Sequence, residues 1–114
     1  TLEQRSKAYL DVNCGHCHNP KGLASTSGLF LQYFSNNNNT AWGICKTPVA
    51  AGRGSGGMSV DIQPGHPNQS ILLYRMESND PGIMMPEIGR KLVHQEAVDL
   101  IGKWISEMEP TPCK

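Results

Sequence analysis

The stretch NCGHCHNP, residues 13–20, contains the pattern Cys-x-x-Cys-His. If residues 14–18 form one helical turn, Cys14, Cys17 and His18 share a face, because they are spaced i, i+3 and i+4. Two thiols at this spacing can add across the two vinyl groups of a haem, and the following imidazole can reach the iron. The pattern therefore predicts one covalently bound c-type haem, attached through Cys14 and Cys17, with His18 as the proximal iron ligand.

Two other kinds of site use closely spaced cysteines. A thioredoxin-like redox pair follows a buried strand, whereas residues 1–13 have the apolar spacing of a helix. A structural zinc site needs four ligands, usually in two close pairs, and the remaining cysteines, Cys45 and Cys113, stand alone. Both alternatives stay open, but the spacing favours haem.

The composition is typical of one small domain built from helices and irregular loops. The chain has 114 residues, of which 38% are hydrophobic, with 12 glycines and 8 prolines. We therefore expect a single all-α domain over residues 1–114. The ten basic and ten acidic side chains balance, which argues against a nucleic-acid surface, and no apolar run is long enough to insert into a membrane.

Helical spacing is clearest at the two ends of the chain. Residues 1–13 predict a first helix, capped by Thr1, that delivers the attachment turn. Apolar residues between Val93 and Met108 repeat at helical spacing and predict a last helix that packs on the first. Between the two helices we expect a short extended segment over residues 58–63, then a turn, then a helix with Pro67 in its first turn.

Several loop residues are candidates for the walls of a haem site. Residues 23–34 contain a cluster of aliphatic and aromatic side chains that would line one haem face or simply form core. The four asparagines at 36–39 predict a loop, and the Gly-rich segment 51–57 lacks the lysine of a phosphate-binding loop, so we interpret it as a loop beside the haem. Trp42 or Arg53 would donate a hydrogen bond to a haem propionate, although Arg53 would equally suit a solvated position.

In this order the elements resemble the single-haem class I cytochrome c domains of bacteria over nearly the whole chain. The resemblance rests on the helix before the attachment motif, on Pro64-Gly-x-Pro-x-x-Ser-x-Leu72, on Met85-Pro86 and on the helix that bears Trp104. It implies a cytochrome c-like fold, with three or more helices wrapped around one haem, and Met85 as the sixth iron ligand. The implied activity is one-electron transfer through Fe(III) and Fe(II), with a redox partner protein or a fused enzyme domain, rather than catalysis.

The positions of the methionines also favour Met85. Three of the five lie in helical apolar stripes or beside the Gly-rich segment: Met58, Met76 and Met108. Met84 and Met85 instead lie on an irregular loop, residues 80–89, which contains Pro86. Because a proline restricts the backbone of the residue before it, we expect Met85 to reach the iron and Met84 to point away.

Cys45 and Cys113 are an even remainder once the haem thiols are assigned. We expect them to form a disulfide, with two unpaired thiols as the alternative. Covalent haem attachment belongs outside the bacterial cytoplasmic membrane, where disulfides also persist, so we expect a periplasmic or otherwise extracytoplasmic location. The chain starts at Thr1 without a signal peptide, which suits a mature domain or one excised from a longer extracytoplasmic protein.

Two rival functions keep the haem but leave the position opposite His18 open: a haem-based sensor and a peroxidase-like module. A peroxidase-like enzyme also needs an acid/base residue over the open face, and the remaining histidines are His16, His66 and His94. We expect His16 to be exposed, because it lies between the two cysteines, and the other two to be structural. Electron transfer is therefore the favoured function.

Overall fold

The computed structural model describes residues 1–33, 38–49, 51–86 and 92–113. Within these ranges the α-helices are α1 (Leu2–Cys14), α2 (Ile71–Glu77) and α3 (Gln95–Ser106), and short 3₁₀ turns cover Ser25–Ser27, Gly52–Ser55 and Pro67–Gln69. The described residues contain no strand, so the predicted all-α class is confirmed. None of their helices has the length and apolar character needed to cross a membrane.

Some predicted loop residues lie outside the described ranges. These are Phe34 at the end of the cluster 23–34, residues 36–37 of the asparagine loop, and residues 87–89 of the loop that carries the paired methionines.

Helix α1 begins with a capping box. Thr1 Oγ1 accepts a hydrogen bond from Gln4 N at 3.1 Å, and Gln4 Oε1 accepts one from the amino terminus at 3.0 Å, so the predicted cap is confirmed. Beyond Cys14 the chain continues in a further turn, in which His18 N donates to the Cys14 carbonyl at 2.9 Å. That bond joins residues four apart, as in an α-helix, and it gives the attachment motif the local geometry that its spacing predicts.

The core lies where α3 packs against α1 and α2. Leu10 of α1 and Ile101 and Ile105 of α3 are fully buried, and Trp104 of α3 is 4% exposed. The predicted packing of the last helix on the first is therefore confirmed. Each large apolar side chain buried along this contact contributes about 1.5–3 kcal/mol, which makes the apolar stripe of α3 a main source of stability.

The segment before α2 differs from the prediction of one helix that contains Pro67. Pro67 lies in a separate 3₁₀ turn, and Ser70 then adopts an extended conformation, with φ −108° and ψ 120°, before α2 starts. The hydroxyl of the buried Ser70 donates to the His66 carbonyl at 3.0 Å and accepts from Gln63 N at 2.9 Å. These two bonds, together with a backbone bridge from Ser70 to Val60, hold the extended residue in place.

A second bridge joins two segments in the middle of the chain, and a disulfide connects this region to the end of the chain. Ile62 bridges to Ile44, in agreement with the extended segment predicted over residues 58–63. Cys45, which follows Ile44, forms the predicted disulfide with Cys113, 68 residues further along the chain. The tail after α3 is therefore covalently tied to the loop that precedes the Gly-rich segment.

Candidate functional site

A cavity of about 350 Å³ opens between the three α-helices and the loops that join them. This volume is within the range of pockets that hold small molecules and cofactors. Most of its wall is apolar, and the wall includes Leu29, Leu31, Ile71, Leu72, Met76 and Val98. We call this space the central cavity.

Cys14, His18 and Met85 all line the central cavity. They come from the end of α1, from the turn that follows it, and from the loop after α2. Cys17 is half-buried on the same turn as Cys14 but is not part of the lining, and Met84 is also outside it. The structure therefore brings one attachment cysteine and both predicted iron ligands to one cavity, and it places Met85 there rather than Met84.

The two cysteines of the predicted attachment motif do not form a disulfide bond. Burial, and then the neighbouring Cys17, raise the pKa of the Cys14 thiol to about 11. A thioredoxin-like redox pair needs a thiol whose pKa is lowered, so that the reactive thiolate forms. The pKa of Cys14 is instead raised. An environment that favours neutral sulfur instead suits a thioether, the form that a haem-bound cysteine takes.

The imidazole of His18 is held by two acceptors behind it. Its Nδ1 lies 3.2 Å from the Leu29 carbonyl oxygen and 3.3 Å from Ser27 Oγ. The Ser27 hydroxyl hydrogen goes to the Ala24 carbonyl, at 2.7 Å, so Nδ1 must be the donor in both contacts. The lone pair of the neutral ring is then on Nε2, which is the tautomer that a metal-binding histidine needs.

Charged residues form one part of the cavity wall: Lys46, Asp61 and Arg75. The Lys46 ammonium is 3.7 Å from the Asp61 carboxylate, and their side chains are 9% and 11% exposed. Burial raises the pKa of Asp61, and the nearby Lys46 opposes that rise. The sequence does not by itself predict these residues as part of the site, although a charged residue between the apolar Val60 and Ile62 is an available signal.

The two residues predicted to bind a propionate do not line the central cavity. Trp42 is 3% exposed and belongs to the hydrophobic core, with the Lys7 ammonium 5.0 Å from the centre of its ring. Arg53 is exposed and donates two hydrogen bonds to Asp80, at 2.6 and 2.9 Å. Their side chains are engaged elsewhere, so this placement does not support the predicted role.

Among the other histidines, His94 lines the central cavity. Its Nδ1 lies 3.4 Å from the Tyr9 hydroxyl, and the two rings are 5.8 Å apart, so it connects the start of α3 to α1. His16 and His66 are exposed and do not contribute to the lining. The predicted exposure of His16 is confirmed.

The described residues hold no group of three or more His, Cys, Asp or Glu side chains that would bind a metal ion. Structural zinc needs such a group, whereas a haem brings four nitrogen ligands of its own and needs axial ligands such as His and Met.

Comparisons with protein-family models, with curated proteins and with solved structures find no match to this chain.

Proposed function

We propose that this chain is a c-type cytochrome domain that transfers single electrons. In this proposal one haem would occupy the central cavity, Cys14 and Cys17 would attach it, and His18 and Met85 would hold its iron. The observation that carries the proposal is that Met85 lines the same apolar cavity as Cys14 and His18, although it is far from both in the sequence.

Three features of the cavity fit a haem. The apolar wall suits a large hydrophobic macrocycle, the Cys14 environment favours neutral sulfur, and His18 and Met85 are a ligand pair that binds haem iron. When bound, the haem supplies an iron that changes between ferric and ferrous states.

The chain's own residues would set the potential of that iron. Leu29 and Ser27 orient the His18 ring and increase its basicity through the Nδ1 hydrogen. Met85 offers a thioether, which raises the potential. The apolar wall disfavours the additional charge of the ferric form. We therefore expect a positive reduction potential.

The disulfide bears on location and partner. A Cys45–Cys113 bond persists in an oxidising compartment, and covalent haem attachment belongs to the same side of the bacterial membrane. We propose a periplasmic or otherwise extracytoplasmic domain that exchanges electrons with a redox partner protein or with a fused enzyme domain.

A haem-based sensor or peroxidase-like module is the alternative. It is favoured by His94, a titratable side chain that lines the same cavity beside Tyr9. In that case Met85 would not bind the iron, and imidazole or cyanide would bind readily to the ferric protein. Electron transfer instead predicts a six-coordinate iron that resists both ligands.

The intact mass of the denatured protein tests covalent attachment. We expect the mass of the polypeptide plus one haem, and the bare polypeptide mass in the Cys14→Ala/Cys17→Ala variant. Haem that is lost from the wild-type chain by acid extraction would remove the central claim. Absorption spectra recorded during a titration with imidazole or cyanide then distinguish the functions, because an open iron position binds these ligands readily whereas an iron that holds Met85 resists them.

A further inference from the structure

We infer that Arg75 is a positioning residue for Met85, an inference that rests on the proposed role of Met85 as an iron ligand. Arg75 lies on α2 and contacts the methionine loop at two points. Its Nε donates to the Ile83 carbonyl at 2.9 Å, and its own carbonyl accepts from Met85 N at 3.0 Å. One residue thus fixes the main chain of the loop at Met85 and two residues before it.

A glycine allows the Arg75 side chain to take this position. A Cβ atom on the buried Gly54 would lie 3.0 Å from Arg75 Cζ and 3.3 Å from its Nε. Any larger residue at position 54 would therefore displace the guanidinium, which packs closely against the 3₁₀ turn Gly52–Ser55. The side chain is held between this turn and the methionine loop, so its Nε–H is aimed before any ligand binds.

A second arginine contacts the same loop in a different way. Arg53 pairs with Asp80 at the start of the loop, where the two side chains are 67% and 36% exposed. Exposed ion pairs contribute little, because water and salt screen them. The Arg75 bond is partly buried and its donor is charged, which makes it the stronger attachment. Arg75 rather than Arg53 should therefore hold Met85 in the cavity.

Two substitutions of Arg75 separate the hydrogen bond from the charge. In Arg75→Met a methyl group takes the place of Nε, whereas in Arg75→Gln an amide nitrogen takes that place and can still donate to Ile83. We expect the haem-loaded Arg75→Met protein to bind imidazole at least about tenfold more tightly than the wild type does. Loss of the charge-assisted bond favours release of Met85 from the iron, which leaves that position open to imidazole. Its weak sulfur-to-iron absorption band should also decrease. Arg75→Gln should recover part of both properties.

Arg53→Met is the matched control, since it removes an arginine that contacts the same loop at Asp80 rather than at Ile83 and Met85. Its imidazole affinity should stay within about twofold of wild type. If the Arg75 variants fold poorly, Gly54→Ala displaces the guanidinium without removing it and should tighten imidazole binding in the same direction. Gly102→Ala in α3, where the new Cβ would meet Leu73 at an ordinary 3.6 Å, serves as its control.

The outcomes distinguish this inference from the proposed function. A wild-type protein without the sulfur-to-iron band would overturn Met85 ligation and this inference with it. A wild-type band that persists in Arg75→Met, with unchanged imidazole affinity, would overturn the role of Arg75 alone. If Arg75→Met and Arg75→Gln weaken the sulfur-to-iron band equally and tighten imidazole binding equally, the role of the Nε hydrogen bond is overturned. Charge or packing would then hold the loop.

Discussion

The Nδ1 atom of His18 faces the carbonyl oxygen of Leu29 at 3.2 Å, although Leu29 lies eleven positions further along the sequence. The main chain adds a second connection, because Leu31 N donates to the His18 carbonyl at 2.9 Å. The segment behind the ring is therefore fixed to both the side chain and the backbone of His18. The ring is therefore oriented by the protein itself, as the proposed role of an iron ligand requires.

Ser27→Ala should weaken this support without removing it. The hydroxyl of Ser27 accepts from His18 Nδ1 and from Leu29 N, whereas the Leu29 carbonyl remains in place. We expect the free energy of unfolding to fall by about 1 kcal/mol. We also expect the reduction potential to rise slightly, because a less basic imidazole stabilises ferric iron less. Urea unfolding and a redox titration measure the two effects.

Ser25→Ala is the control, since Ser25 lies in the same 3₁₀ turn and only its backbone makes hydrogen bonds there. If Ser25→Ala and Ser27→Ala shift the potential equally, the effect comes from the turn and not from the contact with His18.

The disulfide should contribute strongly to stability. Cys45 and Cys113 close a loop over 68 residues of sequence separation, for which the chain-entropy model gives roughly 4 kcal/mol. That value is an upper figure, because the proposed attachment of a haem would also restrain the unfolded chain. The Cys45→Ser/Cys113→Ser protein should unfold at lower urea concentration, and alkylation of the untreated wild type should label neither cysteine. Two reactive thiols in the untreated protein would contradict the bond.

Lys46→Met should destabilise the protein in a pH-dependent way. It leaves the buried carboxylate of Asp61 without its nearest cation, so the pKa of Asp61, already raised by burial, rises further. A folded-state pKa above the unfolded value means that stability falls as the pH rises from the unfolded to the folded value. The loss relative to wild type should therefore be small below the ordinary carboxyl pKa and reach about 3 kcal/mol at pH 7.

Urea unfolding of the wild-type and Lys46→Met proteins, at pH 7 and at a pH below the ordinary carboxyl pKa, measures this dependence. Lys46→Met/Asp61→Asn should recover much of the loss at pH 7, because no unpaired charge remains buried. A loss of equal size at acidic and neutral pH would show that packing, not charge, is responsible.

The parts of the molecule that could be predicted from sequence are those fixed by neighbouring residues. Thr1 and Gln4 cap α1 within one turn, and the spacing of Cys14 and His18 gives their shared turn directly. Helix α3 was predictable because its apolar stripe is long and regular. The disulfide followed from the count of cysteines rather than from geometry.

The parts of the structure that could not be predicted depend on contacts between residues that are distant in the sequence. The break at Ser70 depends on Gln63, which lies in the extended segment and could not be paired with Ser70 in advance. The same holds for the arginines, since nothing local to Arg53 or Arg75 shows which of them meets Asp80 and which reaches the cavity. The choice is made when α2 packs against the 3₁₀ turn Gly52–Ser55, a contact between segments that are distant in the sequence.

Met84 and Met85 differ in what holds them. Met84 N donates to the Asp80 carbonyl at 2.8 Å, a bond within the loop, whereas Met85 N donates to Arg75 of α2 at 3.0 Å. Met85 is therefore the methionine attached to an element of the cavity wall, and it is the one of the two that lines the cavity.

Met85→Ala should lose the sulfur-to-iron absorption band, and its reduction potential should fall because the thioether no longer favours ferrous iron. Met84→Ala should keep both properties, since Met84 is half-buried outside the cavity lining. It is the matched control, with the same residue type one position away on the same loop. Visible spectra of the ferric proteins and redox titrations measure both effects. A band that survives in Met85→Ala and disappears in Met84→Ala would mean that the ligand is Met84, and a wild-type protein without the band would favour the sensor or peroxidase-like alternative.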